Sequence, residues 1–137
     1  MSIRDKAEAF VEELNNKGFN GVQFSTAEIS SCNKEQAIKD GLSDGMSQEW
    51  AEEWANDYVC ISLYPEMDDL GSNDYNCFDS EKFEFDLRKH TIETFGKECL
   101  SDEEQFFSLD LWGGEFEVYD RKKYKEVWRP RLNLLRG

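Results

Sequence analysis

The chain has 137 residues, with 30 Asp and Glu against 16 Lys and Arg, giving a formal net charge of −14. Its length suits one domain, and an aromatic content of 14% excludes a wholly disordered acidic chain. The charge excludes a protein whose bulk surface binds nucleic acid or an anionic membrane, because that surface would repel phosphates.

The N-terminal region predicts a helix followed by a strand. Five apolar residues share one helical stripe: Ile3, Ala7, Phe10, Val11 and Leu14. Gly18 then supplies a stop signal. Residues 22–29 alternate loosely, with Val22 and Phe24 on one face, which predicts a strand.

Two short helices are expected next. Asn33, with Gln36 three residues later, is typical of a capping box, and we expect this helix to end at Gly41. A second helix is expected to start near Ser47 and to bury one stripe formed by Trp50, Trp54 and Tyr58.

The middle of the chain predicts a strand, a loop and a segment with two interpretations. Residues 58–64 are rich in β-forming side chains and precede Pro65, so they predict a strand, and 66–76 predict an acidic loop. The alternation in 82–88 favours a strand followed by a helix over 89–97. The alternative is one helix from Ser80 to Gly96.

The C-terminal third predicts a hairpin and a final helix. Two alternating runs, 106–112 and 115–120, flank two glycines, a pattern typical of a two-residue hairpin turn. In that register Asp110 faces Glu117 and Trp112 faces Glu115. Asp120 is expected to cap a short helix that Pro130 ends. The whole predicts a single α+β domain over 1–137, with helices packed on an antiparallel sheet.

Localisation and redox state follow from what the sequence lacks. No signal peptide or membrane-spanning run is present, so we expect a cytoplasmic protein without membrane contact. The four cysteines contain no C-x-x-C pair and are expected to be free thiols: Cys32, Cys60, Cys77 and Cys99. We expect no metal and no cofactor.

The net charge is unevenly distributed. Residues 1–120 hold 29 acidic and 9 basic residues, a net of −20, whereas the basic segment 121–137 has a net of +6. Residues 40–86 alone have a net of −13. Crowded carboxylates repel one another in the predicted hairpin and in the helix after Ser47. The candidate partner-binding residues are Glu49, Glu52, Glu53, Asp57, Asp68, Asp69, Asp110, Trp112, Glu115 and Glu117.

We expect a non-enzymatic inhibitor that presents these carboxylates to the phosphate-binding surface of a basic nuclease, toxin or nucleic-acid-binding effector. Antirestriction proteins, anti-CRISPR proteins and immunity proteins of nuclease toxins share this profile, and an immunity protein is one alternative. Residues 78–87 (FDSEKFEFDL) resemble a D-x-E-x-x-x-x-D-L stretch of ArdA-type antirestriction DNA mimics. The similarity covers about ten residues of 137 and favours the helical alternative there.

Other functions have less sequence support. A small hydrolytic enzyme would need a constellation that one histidine, His90, and scattered cysteines do not define, so no catalytic residue is assigned. The loop that contains Asp68, Asp69, Asn73 and Asp74 has oxygen ligands suited to calcium but lacks the EF-hand spacing. The acidity could also serve solubility alone, without mimicry.

The basic segment 121–137 has two interpretations. Its first four bases, Arg121, Lys122, Lys123 and Lys125, are expected to pair with the acidic body. Alternatively, the arginines at 129, 131 and 136, which alternate with leucines, contact a partner or form a homodimer arm. We expect no direct contact with nucleic acid, since the rest of the chain repels phosphate.

Overall fold

A computed structural model describes residues 2–29, 33–66, 80–100 and 114–136. Within these residues, five helices and a three-stranded antiparallel sheet confirm the α+β class. The elements are α1 (Ile3–Lys17), β1 (Phe24–Ile29), α2 (Lys34–Ser43), α3 (Gln48–Asp57), β2 (Tyr58–Pro65), α4 (Ser80–Phe95), a 3₁₀ turn (Lys97–Cys99), β3 (Gly114–Tyr119) and the C-terminal helix α5 (residues 121–136).

A capping box and an Asn-Gly turn set the boundaries of the first helix and strand. The Ser2 hydroxyl accepts a hydrogen bond from the Asp5 backbone N–H at 3.1 Å, and the Asp5 carboxylate accepts one from the Ser2 backbone N–H at 3.3 Å. After α1, Asn20 and Gly21 adopt positive φ angles of 49° and 87°, as two-residue hairpin turns require. This turn places Val22 outside the ladder, so β1 begins at Phe24 rather than at residue 22.

The sheet buries one face. Its order is β1-β2-β3, and Ile61 of β2 pairs with Ile29 on one side and with Phe116 on the other. Side chains alternate along each strand, so Val59, Ile61 and Leu63 all point to this face, where each is completely buried. Helices α1 and α4 contribute Phe10, Leu14, Phe83 and Leu87 to the same core.

The segment with two interpretations is a helix. The expectation of a strand over 82–88 followed by a helix over 89–97 is wrong, because α4 is continuous from Ser80 to Phe95. Its buried side chains follow helical spacing, namely Phe83, Leu87, Thr91 and Phe95. Phe85, whose alternation with Phe83 and Leu87 mimics a strand, is 65% exposed.

The single histidine stacks between two aromatic rings that belong to the N-terminal region. The His90 ring lies 5.6 Å from the Phe10 ring and 5.4 Å from the Phe19 ring, with interplanar angles of 28° and 26°. Such contacts add to area burial, so His90 joins α4 to α1 and to the turn that follows it.

A second apolar cluster joins α2, α3 and α5. Ser47 and Asn33 cap their helices as expected, but α2 passes through Gly41 and ends at Ser43. A Cβ atom at Gly41 would lie 3.0 Å from the Ala51 Cβ, so glycine allows α2 and α3 to approach closely. Ala51 and Ala55 are the most buried residues of α3. Trp50 and Trp54 are half-buried, and Tyr58 already belongs to β2.

The C-terminal helix does not stop at Pro130, contrary to expectation. Asp120 caps it as predicted, accepting hydrogen bonds from the backbone N–H groups of Lys122 and Lys123. The helix then runs through an α-helical turn (Arg121–Lys123), a π-helical turn (Tyr124–Trp128) and an α-helix (Arg129–Arg136). A wider turn just before Pro130 accommodates a residue that has no N–H to donate.

Only the second half of the predicted hairpin lies in the described part of the chain. Phe116 and Val118 are buried and Glu115 and Glu117 are exposed, as the alternation predicts. Residues 106–112 and the register with Asp110 and Trp112 lie outside the described residues. No helix in the described ranges has the length and apolar character needed to cross a membrane.

Replacing His90 with Ala removes both ring contacts. We expect a loss of about 1–2 kcal/mol in the free energy of unfolding, measured by urea titration. Lys89→Ala, an exposed neighbour on α4, is the control and should change stability by less than about 0.5 kcal/mol. Equal effects of the two substitutions would contradict the structural role of His90.

Candidate protein-binding surface

The C-terminal helix packs on α3 through a buried tryptophan. Trp128 is only 2% exposed, and its indole Nε1 donates a hydrogen bond to Asp57 Oδ2 at 3.0 Å. The Trp54 ring meets it edge to face at 4.8 Å. A buried indole with a satisfied N–H anchors α5 firmly, since burial and the hydrogen bond act at the same place.

Two basic residues of α5 neutralise two carboxylates of α3. Lys123 Nζ lies 2.6 Å from Asp57 Oδ2 and 3.2 Å from Glu53 Oε1, and Arg131 donates a hydrogen bond to Glu53 Oε2. The Arg131 guanidinium also lies over the rings of Trp50 and Trp128, at 4.8 and 4.9 Å from their centroids.

These contacts shift the ionisation of the groups involved. The hydrogen bond from Arg131, helped by Lys123, lowers the pKa of the Glu53 carboxyl below its ordinary value of 4.5. The hydrogen bond to Asp57 raises the pKa of Lys123. Both shifts favour the charged forms, so the pairs persist at neutral pH.

The four predicted carboxylates of α3 therefore separate into two pairs. Glu49 and Glu52 are exposed, as expected for residues that meet a partner. Glu53 and Asp57 face α5 instead and are half-buried. Pairing between the basic segment and the acidic body is confirmed for Lys123, whereas Arg121 donates to the Lys97 carbonyl.

The outer sheet face, opposite the core, carries three exposed glutamates. The register places Glu28 of β1 beside Ser62, Ser62 beside Glu115, and Glu117 beside Cys60. Glu115 and Glu117 are roughly 7 Å apart along β3, and Glu28 lies roughly 10 Å from Glu115 across two strand spacings. The strand sequences FSTAEI, YVCISLYP and GEFEVY hold three glutamates and no lysine or arginine.

Hydroxyl groups of β2 hold the two β3 carboxylates in place. Ser62 Oγ donates a hydrogen bond to Glu115 Oε1 at 3.0 Å, and the Tyr58 hydroxyl donates one to the Glu117 carboxylate. Burial, and then the hydrogen bond with Glu117, raises the pKa of the Tyr58 phenol, which keeps it a donor. The two carboxylates of β3 are thus pre-positioned on the outer sheet face.

Some acidic positions were missed by sequence reasoning. Glu28 lies within the weakly alternating run 22–29, and only the register shows that it shares a face with Glu115. Asp5, Glu8 and Glu12 form a further exposed acidic row on α1, a helix that packs on the buried face of the sheet, so this row is not part of the outer sheet face. Helical spacing could have revealed it.

Several predicted residues lie outside the described part of the chain. These are Asp68, Asp69, Asp110 and Trp112, together with the loop considered for calcium. Among the residues that the structure does describe, no three His, Cys, Asp or Glu side chains form a group that could hold a metal ion.

Two cavities in the described part of the chain differ greatly in volume. A groove of about 430 Å³ runs along α4 and is lined by Phe85, Arg88, Lys89, Ile92 and Glu93. The junction of α3, β3 and α5 leaves only about 10 Å³, too little for a ligand larger than water.

The comparisons give no relative. The chain matches no protein-family model, no curated protein and no solved structure.

Replacing Asp57 with Ala leaves the buried Trp128 indole N–H without its acceptor. We expect a loss of about 1–3 kcal/mol in the free energy of unfolding, the usual effect of stranding a buried donor. Glu52→Ala, exposed on the same helix, should change it by less than about 0.5 kcal/mol. Similar losses for both variants would contradict the anchoring role of Asp57.

The Glu53 contacts predict a pH-dependent stability difference. Because the folded protein lowers the pKa of Glu53, its ion pairs stabilise the fold above the ordinary value of 4.5 and are lost as pH falls through the lowered value. The unfolding free energies of the wild type and Glu53→Gln should therefore differ at neutral pH and converge in acid. A constant difference would contradict this pairing.

Proposed function

We propose that the chain is a cytoplasmic, non-enzymatic binding protein that inhibits a basic nuclease or other nucleic-acid-binding protein. It does so by placing carboxylates where that protein binds phosphates. The observation that carries the proposal is the outer sheet face, with three exposed glutamates, no basic side chain on its strands and two carboxylates fixed by hydroxyl donors.

Charge and geometry support this function in different ways. Arg and Lys bind carboxylates and phosphates through the same charge-assisted hydrogen bonds, so a groove built for one group accepts the other. A net charge of −14 steers the chain towards a basic partner and speeds encounter. Pre-positioned Glu115 and Glu117 need little ordering on binding, which preserves affinity.

The density of charge limits what is mimicked. Duplex DNA carries one phosphate per roughly 1.7 Å of its axis, whereas the outer sheet face offers three carboxylates over roughly 10 Å. The face thus replaces a few phosphate contacts rather than a long duplex. Glu49 and Glu52 of α3 are also exposed, and we propose that they are two further carboxylates that contact the partner.

Aromatic side chains of the same face suit a protein partner. Tyr64 is 38% exposed and Tyr119 is half-buried, and tyrosine is enriched at interfaces because it offers area at little entropic cost.

The test is DNA cleavage by a panel of restriction endonucleases and CRISPR effector nucleases, with rising amounts of this protein. At least one enzyme should be inhibited, and inhibition should weaken as salt rises. Glu→Gln replacement at 28, 115 and 117 should weaken it by about 10- to 100-fold, since each substitution keeps the shape and removes the charge.

The matched control is Glu→Gln at 8, 12 and 13 of α1. These residues are also exposed, and their loss changes the net charge by the same three units. Inhibition should fall by less than about threefold, because only long-range attraction is reduced. Equal losses in both triple variants, or no inhibited enzyme at any salt concentration, would overturn the proposal.

A further inference from the structure

The C-terminal helix presents basic side chains on its outward side. Exposed positions recur every four residues, at 121–122, 125–126, 129–130 and 133–134, and the positions between them face the body. The repeat of four, rather than 3.6, is consistent with the π-helical turn Tyr124–Trp128. Five bases of α5 are exposed. Arg121 donates a hydrogen bond to the Lys97 carbonyl, and the other four form an outward basic row in which Glu126 is the one exposed acid: Lys122, Lys125, Arg129 and Arg136.

This row runs against the charge that the proposed function requires. Each exposed base weakens the electrostatic attraction between an acidic inhibitor and a basic partner. These four bases are nevertheless exposed on the surface. The row spans about 21 Å, since 14 residues separate its ends. The helix beneath is held rigid by Trp128, Lys123 and Arg131, so the row is fixed relative to the body.

The inward side of the same helix shows which kind of protein surface basic side chains of α5 bind. There Lys123 and Arg131 dock on the acidic helix α3 through Glu53 and Asp57, with a guanidinium stacked on indole rings. The outward side carries the same residue types, with the Arg129 guanidinium 5.9 Å from the centroid of the body-facing Tyr124 ring and Leu134 75% exposed beside the bases. An acidic protein surface with an apolar neighbour matches it.

We infer that the outward basic row binds an acidic patch beside the phosphate-binding groove of the same partner, and so selects that partner among basic proteins. This inference rests on the proposed function. Attraction between the acidic body and any basic groove is not selective, whereas a second contact of opposite sign requires the partner to carry both charges at a fixed separation.

The test depends on whether the affinity for the nuclease rises or falls when the basic row is neutralised. Replacing Lys122, Lys125, Arg129 and Arg136 by Gln makes the net charge four units more negative. If the row were only solvated, steering would improve and affinity for the inhibited nuclease would rise. If it contacts an acidic patch, affinity falls. We expect a fall of about tenfold, measured on immobilised nuclease without DNA.

The matched control replaces four exposed lysines on other elements: Lys17, Lys34, Lys39 and Lys82. It makes the same charge change and should bind more tightly than the wild type. The double variant K122Q/K125Q leaves Arg129 on Tyr124, so it guards against a loss of helix stability, and it should lose about threefold. Circular dichroism checks that each variant is folded.

The outcomes separate the two proposals. Tighter binding by both quadruple variants overturns this inference and leaves the proposed function standing. A loss seen only when DNA is present assigns the row to nucleic acid and also overturns the inference. A wild-type protein that inhibits no nuclease of the panel overturns both.

Discussion

The docking of the C-terminal helix on α3 decides which charges of this molecule are available. Trp128 is buried with its indole N–H on Asp57, and Lys123 and Arg131 close around the adjacent Glu53. The geometry combines apolar burial with charge-assisted hydrogen bonds, which are stronger than neutral ones. Without it, α5 would leave an aromatic cluster and two carboxylates uncovered, and the acidic body would lose its internal counter-charges.

That docking also divides the surface by sign. The carboxylates that α5 neutralises lie on α3. On the outer sheet face, Glu115 and Glu117 have hydroxyl partners from β2, and the three strands carry no basic residue. Hydroxyls orient a carboxylate without cancelling its charge, so the sheet keeps a net negative face. Within the described residues, the chain thus holds an ordered acidic face and an ordered basic row in addition to the exposed carboxylates of α1 and α3.

The sequence predicted the elements whose signals are local. Ser47 and Asp120 are helix caps because their side chains accept from the next turn, and β2 is a strand because Val59, Ile61 and Leu63 alternate. The prediction for 82–88 was wrong because the spacing of its apolar residues fits both a strand and a helix. Phe83, Phe85 and Leu87 alternate as in a strand, whereas Phe83 and Leu87 also form a helical stripe that Thr91 and Phe95 complete. Pro130 misled because it lies in the first turn of the α-helical segment Arg129–Arg136, where proline is tolerated, directly after a π-helical turn. The pairing of Glu53 with Arg131 was not visible, because it joins residues 78 positions apart through a tertiary contact.

The central claim is that carboxylates of the outer sheet face occupy a site that phosphates otherwise fill. The most direct measurement is the affinity of this protein for a nuclease that it inhibits in the cleavage assay, determined at a series of concentrations of a non-cleavable DNA duplex. We expect competition, with the apparent dissociation constant rising in proportion to duplex concentration and no ternary complex. An apparent dissociation constant that does not change with duplex concentration, or a stable complex containing all three molecules, would contradict it.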